Sequence, residues 1–152
     1  MEWHEAEAWG GIIINDSGQV LMRHPTGSYG GYEWTFAKGG ADPEDASPEA
    51  AALREVREET GYRCSIVAEI PGVFTSDTTT TRYFLMHPDR QQGPPDHETT
   101  AIRWATPDEA RALIAQTRTP RGRERDSAAL LAAVTVWRAL AAASNGIPCT
   151  TD

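Results

Sequence analysis

Three glutamates, Glu55, Glu58 and Glu59, are spaced i, i+3, i+4 in the stretch AAALREVREET. On a helix this spacing puts all three carboxylates on one face. Like charges so placed repel, each pair costing roughly 0.2–0.5 kcal/mol in an isolated helix. A hard divalent cation reverses that repulsion, because Mg²⁺ is held by a few carboxylates together with the oxygens of substrate phosphates. Leu53, Val56 and several alanines occupy the opposite face, so the helix reads as a cation platform anchored by its apolar side. The bland alternative is a solvated face, partly neutralised by Arg54, four residues before Glu58, and by Arg57.

A helix start and stop bracket these residues. Ser47-Pro48 places a cap and a first-turn proline ahead of them, and Gly61 supplies the left-handed terminator. Before this helix, Ala8–Ile14 and Gln19–Arg23 read as β segments around the turn Asn15-Asp16-Ser17-Gly18. A glycine-rich loop, Gly27–Tyr32, precedes a short aromatic strand at Glu33–Ala37, and Lys38–Ala46 reads as a loop. After the helix come β segments at Arg63–Ile70, Thr79–His87 and Glu98–Trp104, with a loop at Gln91–His97. Thr106-Pro107-Asp108-Glu109 forms a capping box before a short helix. A last helix is expected from about Glu124 to Ser144, with Leu130, Ala133, Val134, Trp137 and Ala141 on one stripe and Asn145-Gly146 ending it. The order implies one α+β domain over the 152 residues, a mixed sheet with helices on its faces.

Composition narrows the class of partner. Twenty-two acidic residues against fourteen basic ones give a net charge of −8, which argues against a nucleic-acid duplex held by phosphate neutralisation. A phosphate substrate is still compatible if metal ions mediate. The excess has an address, since residues 42–59 carry seven acids and two arginines, a local −5. Cys64 and Cys149 are too few for a disulfide framework and suit a reducing compartment. The first five residues lack the basic and apolar regions of a signal peptide, and the longest apolar run, Ala128–Val134, is far short of the ~20 residues that span a bilayer. A cytoplasmic protein without membrane contact is expected; monomer and homodimer are both open.

The segment Lys38–Tyr62, KGGADPEDASPEAAALREVREETGY, resembles the signature of the Nudix hydrolases. Arg54-Glu55-Val56-Arg57-Glu58-Glu59-Thr60-Gly61-Tyr62 meets every fixed position of its second half, and the likeness extends from about Trp9 to Ile114. One position departs: counting from Gly39, the first glutamate of the signature falls on Asp45, with one extra residue before Arg54. The resemblance implies an α/β/α sandwich and hydrolysis of a nucleoside diphosphate linked to a further group, with Mg²⁺ or Mn²⁺ between an acidic substrate and an acidic helix. It implies that Glu55, Glu58, Glu59 and Gly39 make the metal site, that Arg54 orients a glutamate, and that Glu58, Glu59 and Arg54 take part in catalysis. The general base is a box glutamate or one from another loop, for which Glu98 stands at a suitable place.

Trp34-Thr35-Phe36-Ala37-Lys38-Gly39 is similar to a segment of the diadenosine and diphosphoinositol polyphosphate branch, with Ala37 where that branch carries proline. Lys38 is the single lysine beside thirteen arginines, and at this place a cation can meet a long phosphate chain. Arg23 and Arg82 are further phosphate contacts in this reading, as are Arg118, Arg121, Arg123 and Arg125 on what reads as a mobile polar loop. Tyr32 binds substrate, with Tyr29, Trp34 and Tyr83 also available to stack on a base. Three functions follow: hydrolysis of a dinucleoside polyphosphate; the same chemistry on nucleoside triphosphates, oxidised ones included, or on ADP-ribose-type compounds; and nucleotide sensing without turnover.

Overall fold

The computed structural model describes residues 6–76 and 79–146. The N-terminal pentapeptide, Cys149 and the middle of the 74–81 loop lie outside them. Strands β1 (Ala8–Ile13), β2 (Val20–Pro25) and β3 (Ala37–Gly39) precede helix α1 (Pro48–Thr60). Then follow β4 (Tyr62–Glu69), β5 (Phe74–Thr75), β6 (Thr80–Gln91), β7 (Thr99–Ala105), α2 (Pro107–Ile114) and α3 (Pro120–Gly146). A five-stranded mixed sheet runs β3-β1-β6-β4, with β5 on β6, and β2 and β7 form a second, two-stranded sheet. Strand β1 lies parallel to β6 and antiparallel to β3.

Strand alternation sorts the core into two layers. Ile12, Ile14, Tyr83 and Leu85 face Leu130, Ala133 and Val134 of α3 and Leu113 and Ile114 of α2. Trp9, Ile13, Phe84 and Met86 face the other way, onto Ala51, Ala52 and Val56 of α1. The helices therefore cover opposite faces of one sheet, and the expected α/β/α sandwich is present.

Three boundaries differ from the sequence reading. The aromatic segment expected as a strand at 33–37 makes only an isolated bridge, Thr35 with Arg23, and β3 forms at 37–39, where a loop was expected. The opposing strand explains this, since a Cβ on Gly10 would sit 2.1 Å from the Ala37 carbonyl oxygen. Only a glycine lets β3 come so close. Secondly, α3 starts at Pro120, so part of the supposed loop at 117–125 is its first turn. Arg123 Nη1 donates to the Thr117 carbonyl at 2.7 Å, and Arg118 reaches Glu33 at 3.3 Å. These arginines are used within the fold.

Thirdly, α3 runs to Gly146, and within Pro120–Ser144 an 18-residue window with a mean hydropathy of 1.5 is long and apolar enough to cross a membrane by composition. The uninterrupted run Ala128–Val134 had hidden that property, because Thr135 and Arg138 break it. Its first half is a core helix, since Ala129, Leu130, Ala133 and Val134 are buried against the sheet.

Candidate active site

Helix α1 carries the site, and its ends are built as the sequence requires. Ser47 accepts from the Ala50 amide at 3.1 Å, Pro48 opens the first turn, and Gly61 closes the helix at φ 81°. The chain after β6 returns to this end of the helix. Gln92 N–H donates to the Gly61 carbonyl and Asp96 N–H to that of Glu58, both at 2.8 Å. Two carbonyls that a helix C-terminus leaves unpaired are thereby satisfied. The same contacts hold the approach to β7, and with it Glu98, beside the carboxylate face.

The three glutamates occupy different environments. Glu59 is only 5% exposed, and its Oε1 accepts from the Lys38 amide at 3.2 Å and faces Arg23 Nη1 at 3.5 Å. Burial pushes its carboxyl up to about 8; Arg23 opposes that rise and Glu55 reinforces it. Glu55 is raised as well, again by burial and against the pull of Arg54. The two carboxyls interact and titrate as a pair, both raised by burial. Glu58 is the open member, its side chain 44% exposed.

Gly39 backs onto this pair, since a Cβ there would lie 2.3 Å from the Glu55 carboxyl carbon. Any side chain at 39 would displace the Glu55 carboxylate.

Arg54 collects the remaining acids. It donates to Asp45 from Nε and Nη2, to Glu55 at 3.1 Å and Glu58 at 3.3 Å from Nη1, and to the Gly40 carbonyl at 2.9 Å. Asp42 lies 3.4 Å from its Nε. Asp45, the departure from the signature, is therefore the acid that meets Arg54, and Ala46 takes no part in these contacts. The guanidinium holds the Asp45 carboxyl below the ordinary carboxylate range.

A buried carboxyl pair that must share a proton is a donor set suited to a divalent cation, which would replace that proton with a stronger positive charge. Among the described residues no three carboxylate, imidazole or thiolate groups converge to hold an ion. Arg54 accounts for this by drawing Glu55 and Glu58 toward itself.

The remaining expected residues divide. Lys38 lies on β3 with its side chain partly buried, its pKa lowered by burial and by Arg125, against the pull of Glu59 and Asp126. Arg23 is 9% exposed and fully engaged: Nε donates to Thr99 Oγ1 at 2.8 Å, Nη2 to the Glu98 carbonyl at 2.9 Å, and Nη1 faces Glu59. It is not free to take a phosphate. Arg82 pairs with Glu69 at 2.6 Å on the sheet surface. The Arg125 guanidinium covers the Tyr32 ring, 4.9 Å from its centroid, and Tyr83 is wholly buried, so Tyr83 stacks on no base. Glu98 is exposed, and among the described residues no hydrogen bond or ion pair holds its carboxylate; its carbonyl is fixed by Arg23 and the Thr26 amide.

Sequence reasoning missed Thr99 and Asp126 as parts of this region, and read Arg125 as a phosphate contact on a loop. Asp126 is buried between Arg125, at 3.0 Å, and the Thr35 hydroxyl, at 2.7 Å. An Arg-Asp dipeptide on the buried stripe of α3 was the available signal.

A family profile described as NUDIX domain matches residues 4–125. A MutT-like protein of Streptomyces ambofaciens is 32% identical over 110 residues, covering 70% of this chain and 67% of that protein. Among solved structures, an ADP-ribose pyrophosphatase from Streptococcus suis matches with a TM-score of 0.67 at 15% identity, over 88% of this chain and 92% of that one. A C. elegans Ap4A hydrolase, solved as a binary complex, matches with a TM-score of 0.62 at 21% identity, over 90% of this chain and 98% of that one. At these identities the two structures speak for the fold.

Proposed function

The chain belongs to the Nudix family and is a Nudix hydrolase, and from that premise we propose that its substrate is a dinucleoside polyphosphate, cleaved with Mg²⁺ or Mn²⁺. One observation carries the choice of substrate. Successive residues of a strand point to opposite faces, so Gly39 backs onto the Glu55 carboxyl while Lys38 faces the other way, beside Arg125. A diphosphate linkage needs only the cation platform. A longer phosphate chain carries more charge, and a second cationic group one strand residue away supports it.

Glu55, Glu58 and Glu59 would hold the divalent ion, which when bound neutralises phosphate charge and polarises the phosphoryl oxygen. The protein's own groups supply the rest. Arg54 orients Glu55 and Glu58 and ties them to the 40–45 loop through the Gly40 carbonyl and Asp45. A base for the attacking water must be a carboxylate that no cation already engages. Glu55 and Glu58 bond Arg54 and Glu59 would hold the ion, whereas Glu98 is exposed and, among the described residues, no cation holds its carboxylate, so Glu98 is the acceptor in this reading.

Ranking dinucleoside polyphosphates, ADP-ribose and nucleoside triphosphates by kcat/KM tests the reading. Dinucleoside polyphosphates should lead. A ranking led by ADP-ribose or by a triphosphate removes the long-chain assignment and leaves the hydrolase. A panel without any turnover supports the sensor instead.

A further inference from the structure

The geometry points to Arg23 as a positioning residue that sets the orientation of the Glu59 carboxylate, and so the affinity of the cation site, without touching substrate. The inference rests on the reading of the α1 glutamates as that site, and not on the choice of substrate. Arg23 stands on β2, in the smaller sheet, and its guanidinium reaches from that sheet to Glu59 on α1. Each nitrogen has its own partner: Nε the Thr99 hydroxyl, Nη2 the Glu98 carbonyl and Nη1 the Glu59 carboxylate. The backbone of the same residue exchanges two hydrogen bonds with Thr35, at 3.0 and 2.9 Å. An arginine so tied has little rotational freedom left.

Both groups that address Glu59 from the sheet side, Arg23 Nη1 and the Lys38 amide, fall on Oε1. Oε2 lies outside both contacts. Without Arg23 the carboxylate can turn about its last torsion, and either oxygen can take the Lys38 amide. Outer partners of this kind typically change metal affinity or activity by about 10–100-fold when removed. A lysine cannot replace the fork, since a single ammonium cannot serve a hydroxyl, a carbonyl and a carboxylate lying in three directions.

The test is Mn²⁺ affinity measured without nucleotide, by electron paramagnetic resonance of the free ion, together with kcat and KM at saturating metal. R23Q and R23K should weaken Mn²⁺ binding by about 10–100-fold and leave KM for the nucleotide unchanged. Thr99→Val releases Nε while keeping both charges, and should shift Mn²⁺ affinity in the same direction by less. It also carries the test if the Arg23 variants fail to fold. Unchanged Mn²⁺ affinity with a raised KM would make Arg23 a phosphate contact and overturn the inference, as would a wild-type protein that binds no Mn²⁺. A protein that binds Mn²⁺ through Arg23 and Glu59 but hydrolyses none of the nucleotides would sink the proposed substrate and leave this role intact.

Discussion

Arg54 holds Asp45 through three contacts, Nε at 3.1 and 3.3 Å and Nη2 at 2.9 Å, with the Asp45 side chain only 7% exposed. A residue that breaks the family signature thus makes a contact that joins the 40–45 loop to α1. Asp45→Ala should destabilise the protein by about 1.5–3 kcal/mol, the range for hydrogen bonds to charged groups. Thermal melting measures this, and Asp45→Asn should fall between the two. Because Arg54 holds the Asp45 carboxyl below the ordinary value of 3.8, this contact's stability is present above that pH and lost as pH falls through the lower native value. An Asp45→Ala protein with unchanged melting at neutral pH would contradict the anchoring role.

Glu59 gives the opposite pH dependence. Its carboxyl is pushed from 4.5 to about 8 by burial, so the native state binds a proton that the unfolded chain has released. Between those values stability falls as pH rises, and above about 8 the full penalty of burying the charge is felt. A divalent cation removes that penalty by taking the proton's place. The rise in Tm on adding Mg²⁺ or Mn²⁺ should therefore be larger at pH 9 than at pH 6. Glu59→Gln should flatten this difference. Equal metal-induced shifts at both pH values in the wild-type protein would refute the account.

The base assignment separates Glu98 from Arg82, both named from the sequence. Glu98→Gln should lower kcat by about 10²–10⁴-fold, the usual contribution of a general base, with Mn²⁺ affinity kept. Arg82→Ala should leave both kcat and KM near wild type, because Arg82 is paired with Glu69 on the sheet surface. Steady-state kinetics with one dinucleoside polyphosphate decide both points. A raised KM in Arg82→Ala would return it to the substrate contacts.

How these residues could be read in advance depended on the range of the forces placing them. Helix α1 is specified locally, by its Ser47-Pro48 cap, its Gly61 terminator and the 3.6-residue period of its carboxylates, and all were legible. The capping box at Thr106 and Glu109 was equally so. Strand β3 was not, because the permission for it lies 28 residues away in Gly10, which lets the Lys38 backbone approach. The role of Arg23 was hidden for the same reason, since its partners Glu59, Glu98 and Thr99 come from α1 and the approach to β7. Charge alone made Arg23, Arg82, Arg118, Arg121, Arg123 and Arg125 phosphate contacts in the sequence reading. Burial and pairing within the fold removed Arg23, Arg82 and Arg125 from that set.

Lys38 was named as a phosphate contact in the same reading. Its side chain is partly buried beside Arg125, and two like charges are tolerated there only because Glu59 and Asp126 oppose them. A phosphate chain arriving on this side of β3 would add negative charge that opposes the lowering of the lysine's pKa. Lys38→Met keeps most of the side-chain volume and removes that charge. Turnover of a dinucleoside polyphosphate should drop by about tenfold or more, equivalent to ~1.4 kcal/mol of lost transition-state binding. ADP-ribose turnover, which needs only the cation platform, should change far less. Parallel kcat/KM measurements on the two substrates give the ratio, and an equal loss on both would show that Lys38 supports the fold of β3 and does not select the longer chain.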